Sequence, residues 1–214
     1  MDLTGKKVLV VGLARTGVAL AHFLARAGAL VTVTDVAQAH ELAAMRAQIQ
    51  NLPVEEELGV PEPREVLGFD LILPSPGVPP ELPWLKKARS HGIPVWGELE
   101  LASHFLTRPV IAVSGTNGKT TTTTLVGKFL AASGIKALVG GNIGTPLVAL
   151  LGQQQQADYL VLEISSFQLD TAPHFHPQSA ALLNITPDHL DRYADYAAYV
   201  ASKASLFAAM AAEE

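Results

Sequence analysis

PVIAVSGTNGKTTT (109–122) joins an apolar run to a glycine-rich loop that closes on Gly118-Lys119-Thr120. Gly115 and Gly118 allow the backbone to bend until several N–H groups face one anion. Lys119 adds a mobile positive charge for outer phosphates, and Thr120 a hydroxyl suited to Mg²⁺. The residues that follow have helical spacing, so a helix N-terminus aims its partial positive charge at the same place. Gly115, Thr116, Asn117, Gly118, Lys119, Thr120 and Thr121 are therefore the candidate phosphate-binding residues. A plain strand–helix turn would not need Lys and Thr at those positions. The usual phosphate-loop spacing asks for glycine at 113, where this chain has Val113, so the loop is a variant form.

Working outward, apolar strands alternate with helical stretches throughout, the pattern of parallel sheets covered by helices. Residues 6–12, 29–35 and 69–77 read as strands, 16–27, 38–50 and 81–91 as helices, and 93–97 as a short closing strand. The Pro- and Glu-rich stretch 51–65 reads as a surface excursion. The pattern restarts after Gly97 with a helix at 98–106, the phosphate-loop strand, and strands at 135–141, 158–165 and 179–186. The expected fold is α/β, a Rossmann-like parallel-sheet unit over 1–97 followed by a phosphate-loop α/β unit over 98–214. The glutamines at 153–156 read as a solvated low-complexity loop. With about four strands expected in the second unit and the closing AAMAAEE directly after a helix, that unit reads as incomplete.

Bulk properties narrow the function. Of the 214 residues, 49% are hydrophobic and 16% charged, which fits a well-buried globular protein. The net charge of −5 offers no general attraction for nucleic acid. Cysteine is absent, so disulfides and thiolate metal sites are excluded. The N-terminal apolar run is too short for a signal peptide or a membrane span, which makes a cytoplasmic location the expectation.

GLARTG (12–17) lies between the first strand and helix, with Asp35 ending the second strand. The pair resembles a dinucleotide fingerprint with its distant ribose acid, although Ala14 replaces the middle glycine. Ser75-Pro76-Gly77 ends another strand on the same edge, where open parallel sheets bind ligands. In the second unit Glu163 follows the apolar body of a strand beside the phosphate loop, well placed to hold Mg²⁺. His189 lies in NITPDHLDR among Asp188, Asp191 and Arg192 at another strand end. Lys203 falls in the gap of an apolar stripe formed by Tyr196, Val200, Phe207 and Met210, and a lysine there is costly unless paired or neutral. On these residues alone, an NAD-dependent Rossmann oxidoreductase and a non-catalytic nucleotide-binding module both remain open.

GTNGKTT, GGNIGTP, LEISSFQL and NITPDHLDRY, in this order behind GLARTG and SPG, resemble the Mur ligases of peptidoglycan synthesis over essentially all 214 residues. LEISSFQL and DHLDRY are most similar to the branch that adds D-glutamate to UDP-N-acetylmuramoyl-L-alanine. The resemblance implies an ATP-dependent, ADP-forming amide ligase working through an acyl phosphate, and a monomer without nucleic-acid or membrane partners. It places the UDP-substrate against Arg15, Thr16, Asp35, Ser75, Pro76 and Gly77, with Asn142 and Ser165 contacting substrate or metal-bound groups. It gives Mg²⁺ to Thr120 and Glu163 at one site and to His189 at a second. Lys119, His189 and Lys203 become the catalytic set, Lys203 as a carbamate that binds metal. Members of the family have three domains, so the expectation is a chain without the C-terminal one that does not ligate by itself.

Overall fold

In the computed structural model, which describes residues 1–208 and Met210, the chain forms two compact units, Met1–Glu98 and Leu99 onward. The first runs β1 (Lys7–Val11), α1 (Arg15–Arg26), β2 (Leu30–Asp35), α2 (Ala43–Ile49), β3 (Val54–Leu58), β4 (Leu71–Pro74) and α3 (Pro83–Ser90). Helix α4 (Glu98–Ser103) opens the second unit. It continues with β5 (Val110–Ser114), α5 (Lys119–Ala132), β6 (Ala137–Gly141), α6 (Leu147–Leu150), β7 (Tyr159–Glu163), α7 (Ser166–Leu169), β8 (Ser179–Leu182) and α8 (Tyr196–Ala208).

Both sheets are wholly parallel. The first has the order β3-β2-β1-β4, the arrangement of a Rossmann-type half-sheet. The second has the order β6-β7-β5-β8, which puts the phosphate-loop strand between two neighbours. Strands β1, β4, β5 and β7 are almost continuously buried, as a parallel sheet covered on both faces requires. Helix α1 buries Val18, Leu20, Ala21 and Leu24, the helical stripe written in TGVALAHFL. Helix α3 begins with Pro83, whose missing N–H costs nothing in a first turn, and buries Trp84, Leu85 and Ala88 against Leu9, Val11 and Ile72.

Several sequence expectations need correction. The supposed excursion at 51–65 contains β3, which pairs in parallel with β2. Its glutamates lie on an edge strand with solvent on one side, so strand-forming alternation is hidden by charge. The stretch at 93–97 forms only a single bridge, Ile72 to Val95. The helix expected at 38–50 is regular only over α2, with turns before it.

Three of the glutamines at 153–156 are exposed as expected, but the segment is not an irregular loop and Gln154 is the exception. These residues complete a 3₁₀ turn, Leu151–Gln156, and Gln154 is buried. Its Oε1 accepts from Thr107 N at 2.9 Å while its Nε2 donates to Phe105 O at 3.0 Å, so one amide clips the strand lead-in after α4. Gln154→Ala would remove both of these hydrogen bonds, and we expect a loss of about 1–2 kcal/mol of stability. Denaturant unfolding of the variant measures it, and a loss within experimental error would contradict the clip.

The apolar face of α8 is also rotated from its expected position. Tyr199, Ser202, Lys203 and Leu206 are buried, whereas Tyr196 and Phe207 are 41% and 40% exposed. Lys203 belongs to the buried face in either reading. The closing residues 208–214 lie outside the described part apart from Ala208 and Met210.

Candidate functional site

The loop between β5 and α5 leaves the sheet through Ser114, whose hydroxyl donates to Ile164 O at 2.9 Å and ties it to the end of β7. Gly115 (φ 149°) and Gly118 (φ 80°) then turn it sharply. A Cβ on Gly115 would come 3.2 Å from that of Leu183, so this glycine also permits the close approach of the chain after β8. That neighbour clamps the loop. Thr116 N donates to Asn184 O (3.0 Å) and Asn117 N to Asn184 Oδ1 (2.9 Å), while Asn184 Nδ2 returns a bond to Asn117 O (3.1 Å).

The amides of Thr116 and Asn117 are thus committed within the protein. From Gly118 onward α5 starts without a side-chain cap, so its first amides carry no side-chain acceptor. Lys119 Nζ donates to Thr116 O at 2.8 Å, folding its charge back over the loop. Among the described residues its ammonium has no carboxylate within salt-bridge distance.

Thr120, Asn142 and Glu163 converge. Thr120 Oγ1 donates to Glu163 Oε2 at 2.7 Å, and Asn142 Nδ2 to Glu163 Oε1 at 2.8 Å. Asn142 is held in turn by its own N–H to Glu163 O (2.8 Å). A side chain on Gly141 would collide with that same carbonyl, which explains the GGN sequence. Glu163 is only 2% exposed, and both its recorded partners are neutral donors. A buried carboxylate without a cation is costly. The Glu163 carboxylate and the Thr120 hydroxyl, side by side next to a phosphate loop, are oxygen ligands that fit a hard cation such as Mg²⁺.

On the other side of the loop Lys203 is 2% exposed, donates from Nζ to Gly115 O at 3.0 Å and lies 4.8 Å from the Tyr199 ring centroid. Burial and then the Lys119 charge lower its pKa to about 8, against weaker upward pulls from Asp188 and Asp170. The fit to a carbamate is chemical: a neutral amine must form first, and near pH 7.5 about a quarter of such a lysine is neutral against roughly one part in a thousand ordinarily.

His189 is exposed and is the one non-glycine residue at positive φ (54°) among the described residues. Its ring lies 4.7 Å from Phe167 and 6.2 Å from Tyr199, with Asp188 Oδ2 3.6 Å from its Nε2. Tyr199, which the sequence reading did not single out, links the parts: its hydroxyl is 3.1 Å from Thr116 Oγ1, and its ring neighbours both His189 and Lys203. Burial raises its pKa. Ser165 is the N-cap of α7, in a capping box with Gln168.

In the first unit Arg15, Thr16, Asp35, Ser75, Pro76 and Gly77 all line one cavity of ≈ 510 Å³ at the carboxyl edge of the sheet. Asp35 builds its wall: Oδ2 accepts from Leu13 N at 2.7 Å and Oδ1 from Ala37 N at 2.9 Å, joining the turns after β1 and β2. Ser75 Oγ donates to Gly12 O at 3.2 Å and adds the turn after β4. Trp84 also lines the cavity, and its indole N–H is buried without a partner.

The comparisons with known proteins fall on the same two units. Residues 6–97 match the model of a Mur ligase MurD-like N-terminal domain, and residues 113–214 that of the Mur ligase middle domain. The chain is 52% identical over 207 residues to the UDP-N-acetylmuramoylalanine–D-glutamate ligase of Geotalea uraniireducens, covering 97% of itself and 46% of the relative. With the ligase of the same name from Geobacter sp. strain M21 it shares 49% identity over 214 residues, covering 47% of that relative. The chain spans about half the length of the curated relatives it matches. Among solved structures it resembles the UDP-N-acetylmuramate:L-alanyl-gamma-D-glutamyl-meso-diaminopimelate ligase of Neisseria meningitides (TM-score 0.64, 21% identity, 98% of this chain and 70% of that one). It also resembles UDP-N-acetylmuramate-alanine ligase MurC of Thermotoga maritima (TM-score 0.57, 21% identity, 96% and 47%). These two likenesses concern the fold. No helix of the described residues is long and apolar enough to cross a membrane.

Proposed function

The chain belongs to the Mur ligase family, with N-terminal and middle domains in sequence, and from that premise we propose that a protein carrying it joins D-glutamate to UDP-N-acetylmuramoyl-L-alanine at the expense of ATP. The observation that carries this reading is roughly 50% identity along the whole chain to relatives of that name, together with the Thr120–Glu163–Asn142 cluster beside the phosphate loop. The substrate and nucleotide are both cytoplasmic compounds, which favours that compartment.

The reaction is two successive displacements. The substrate's terminal carboxylate oxygen attacks the γ-phosphorus of ATP, releasing ADP and leaving an acyl phosphate. The D-glutamate amine then attacks the acyl carbon, and the tetrahedral adduct loses phosphate and a proton to give the amide. The protein's part is positioning and charge. The amides at the start of α5 hold the β- and γ-phosphates, and Lys119 swings from Thr116 O to the moving phosphoryl group. Thr120 and Glu163 would hold Mg²⁺, and His189 a second ion, with Lys203 as its carbamate adding an anionic ligand. Magnesium there supplies positive charge that offsets the phosphate oxygens. The buried face of α8 keeps water from Lys203. The first-unit cavity, with Arg15 and Thr16 at the start of α1, receives the UDP moiety.

The other reading from the first unit, an NAD-dependent oxidoreductase, meets an obstacle in Ala14 as the N-cap of α1. Calorimetric titration of the 214-residue chain separates them. We expect saturable one-to-one binding of UDP-N-acetylmuramoyl-L-alanine, weakened at least about tenfold by Arg15→Ala, and no heat with NADH. Binding of NADH without binding of the UDP-sugar would overturn the assignment.

A further inference from the structure

Away from the nucleotide loop, a second polar cluster has no part in the reaction above. Glu100, on α4, is fully buried, and its recorded partners are histidines and a backbone amide rather than a lysine or arginine. Its Oε1 lies 2.6 Å from His174 Nδ1 and 3.3 Å from His104 Nε2, while Oε2 accepts from His174 N at 3.0 Å. The two imidazoles approach one another with centroids 6.0 Å apart. One ligand atom from each residue lies within 4.8 Å of the others, the one such grouping of His, Cys, Asp and Glu among the described residues.

We propose that Glu100, His104 and His174 form a binding site for a borderline divalent transition ion, best satisfied by Zn²⁺. A carboxylate with two imidazoles is a set that zinc favours and magnesium does not. Zinc bonds of about 2.0–2.1 Å in a tetrahedron put ligand atoms roughly 3.3–3.4 Å apart. The Glu100–His104 separation already has that value, and the Glu100–His174 pair needs to open by less than about 1 Å. Side-chain exposures of 31% for His104 and 68% for His174 leave the ion an approach from solvent and room for water at the remaining position. The buried carboxylate is fixed from behind by His174 N, the kind of outer support that holds a metal ligand in place.

The site spans α4 and the connection from α7 to β8, which runs beside β5. Bound metal would therefore staple the outside of the second unit rather than take part in phosphoryl transfer. This inference does not depend on the proposed ligase activity, since it uses none of its residues.

The test is titration of the untagged 214-residue chain with ZnCl₂ in excess Mg²⁺, which occupies any hard-ligand site. We expect one zinc per chain, a rise in the unfolding temperature, and, with Co²⁺ as probe, the intense visible bands of a four-coordinate ion. His104→Ala and His174→Ala leave the buried Glu100 with fewer donors, so each variant is first shown to be folded by a cooperative unfolding transition. Each is expected to weaken zinc at least about tenfold, and the double variant to abolish both the stoichiometric binding and the stabilisation. Unchanged zinc binding in the folded double variant, or no zinc binding by the unaltered chain, overturns the proposal.

Discussion

Lys119→Ala should weaken Mg²⁺-ATP binding at least about a hundredfold while leaving the fold intact. The ammonium is recorded with one acceptor, the Thr116 carbonyl at 2.8 Å, and an alanine there removes a contact at the loop surface rather than a core group. In the proposed site its charge supplements the amides from Gly118 onward, since those of Thr116 and Asn117 are already taken by Asn184. The same variant has a second signature. Lys119 is one of the two causes that depress the Lys203 pKa, so its loss should move Lys203 back toward ordinary lysine. Equilibrium titration with ATP gives the first result, and the pH profile of amine-specific labelling at Lys203 gives the second. Unaltered ATP affinity would remove the loop from the nucleotide site.

Lys203→Met is the complementary case, in which stability and activity should move in opposite directions. A protein carrying this chain should lose about a thousandfold in ligation rate, and Lys203→Arg should not restore it, because arginine forms no carbamate. Binding of the UDP-substrate should be unchanged in both. Stability near pH 7 should rise by about 1–3 kcal/mol in the methionine variant, since an apolar chain of similar length replaces a buried ammonium whose recorded hydrogen bond goes to a carbonyl. The sign with pH follows from the folded pKa of about 8 lying below the ordinary lysine value of 10.5. Between those values the unfolded chain binds more protons than the folded one, so the unaltered protein gains stability as pH rises. In bicarbonate-free buffer the gap between variant and parent should therefore narrow across that window. A fully active Lys203→Arg protein, or a gap that widens with pH, would exclude the assigned role.

The alternation of strand and helix, the restart after Gly97 and the glycine turn at 115–118 were legible because each is a local pattern. Elements written in unlike residues were not. Strand β3 carries three consecutive glutamates, and only its pairing with β2 reveals it. Helix α8 is so rich in alanine that its period is faint, and Ser202 on its inner face misleads any search for large apolar residues. Gln154 looks like one of four equal glutamines until the positions of Thr107 N and Phe105 O are known. At the candidate site, Lys203 stood out because a charge breaks a stripe. Tyr199 did not, because a tyrosine in an apolar helix needs no explanation until its hydroxyl is found beside Thr116.

The Asn184 clamp has a kinetic meaning. A glycine-rich loop left to itself samples many shapes, and an anion would have to wait for, or select, the one that converges its amides. Here one asparagine from the chain after β8 holds Thr116 and Asn117 through its own backbone and side chain. The ordering entropy is therefore spent when the sheet forms, before the anion of the proposed site arrives. Encounter with the loop then resembles a key meeting a cut lock, its speed governed by diffusion and charge rather than by a folding step.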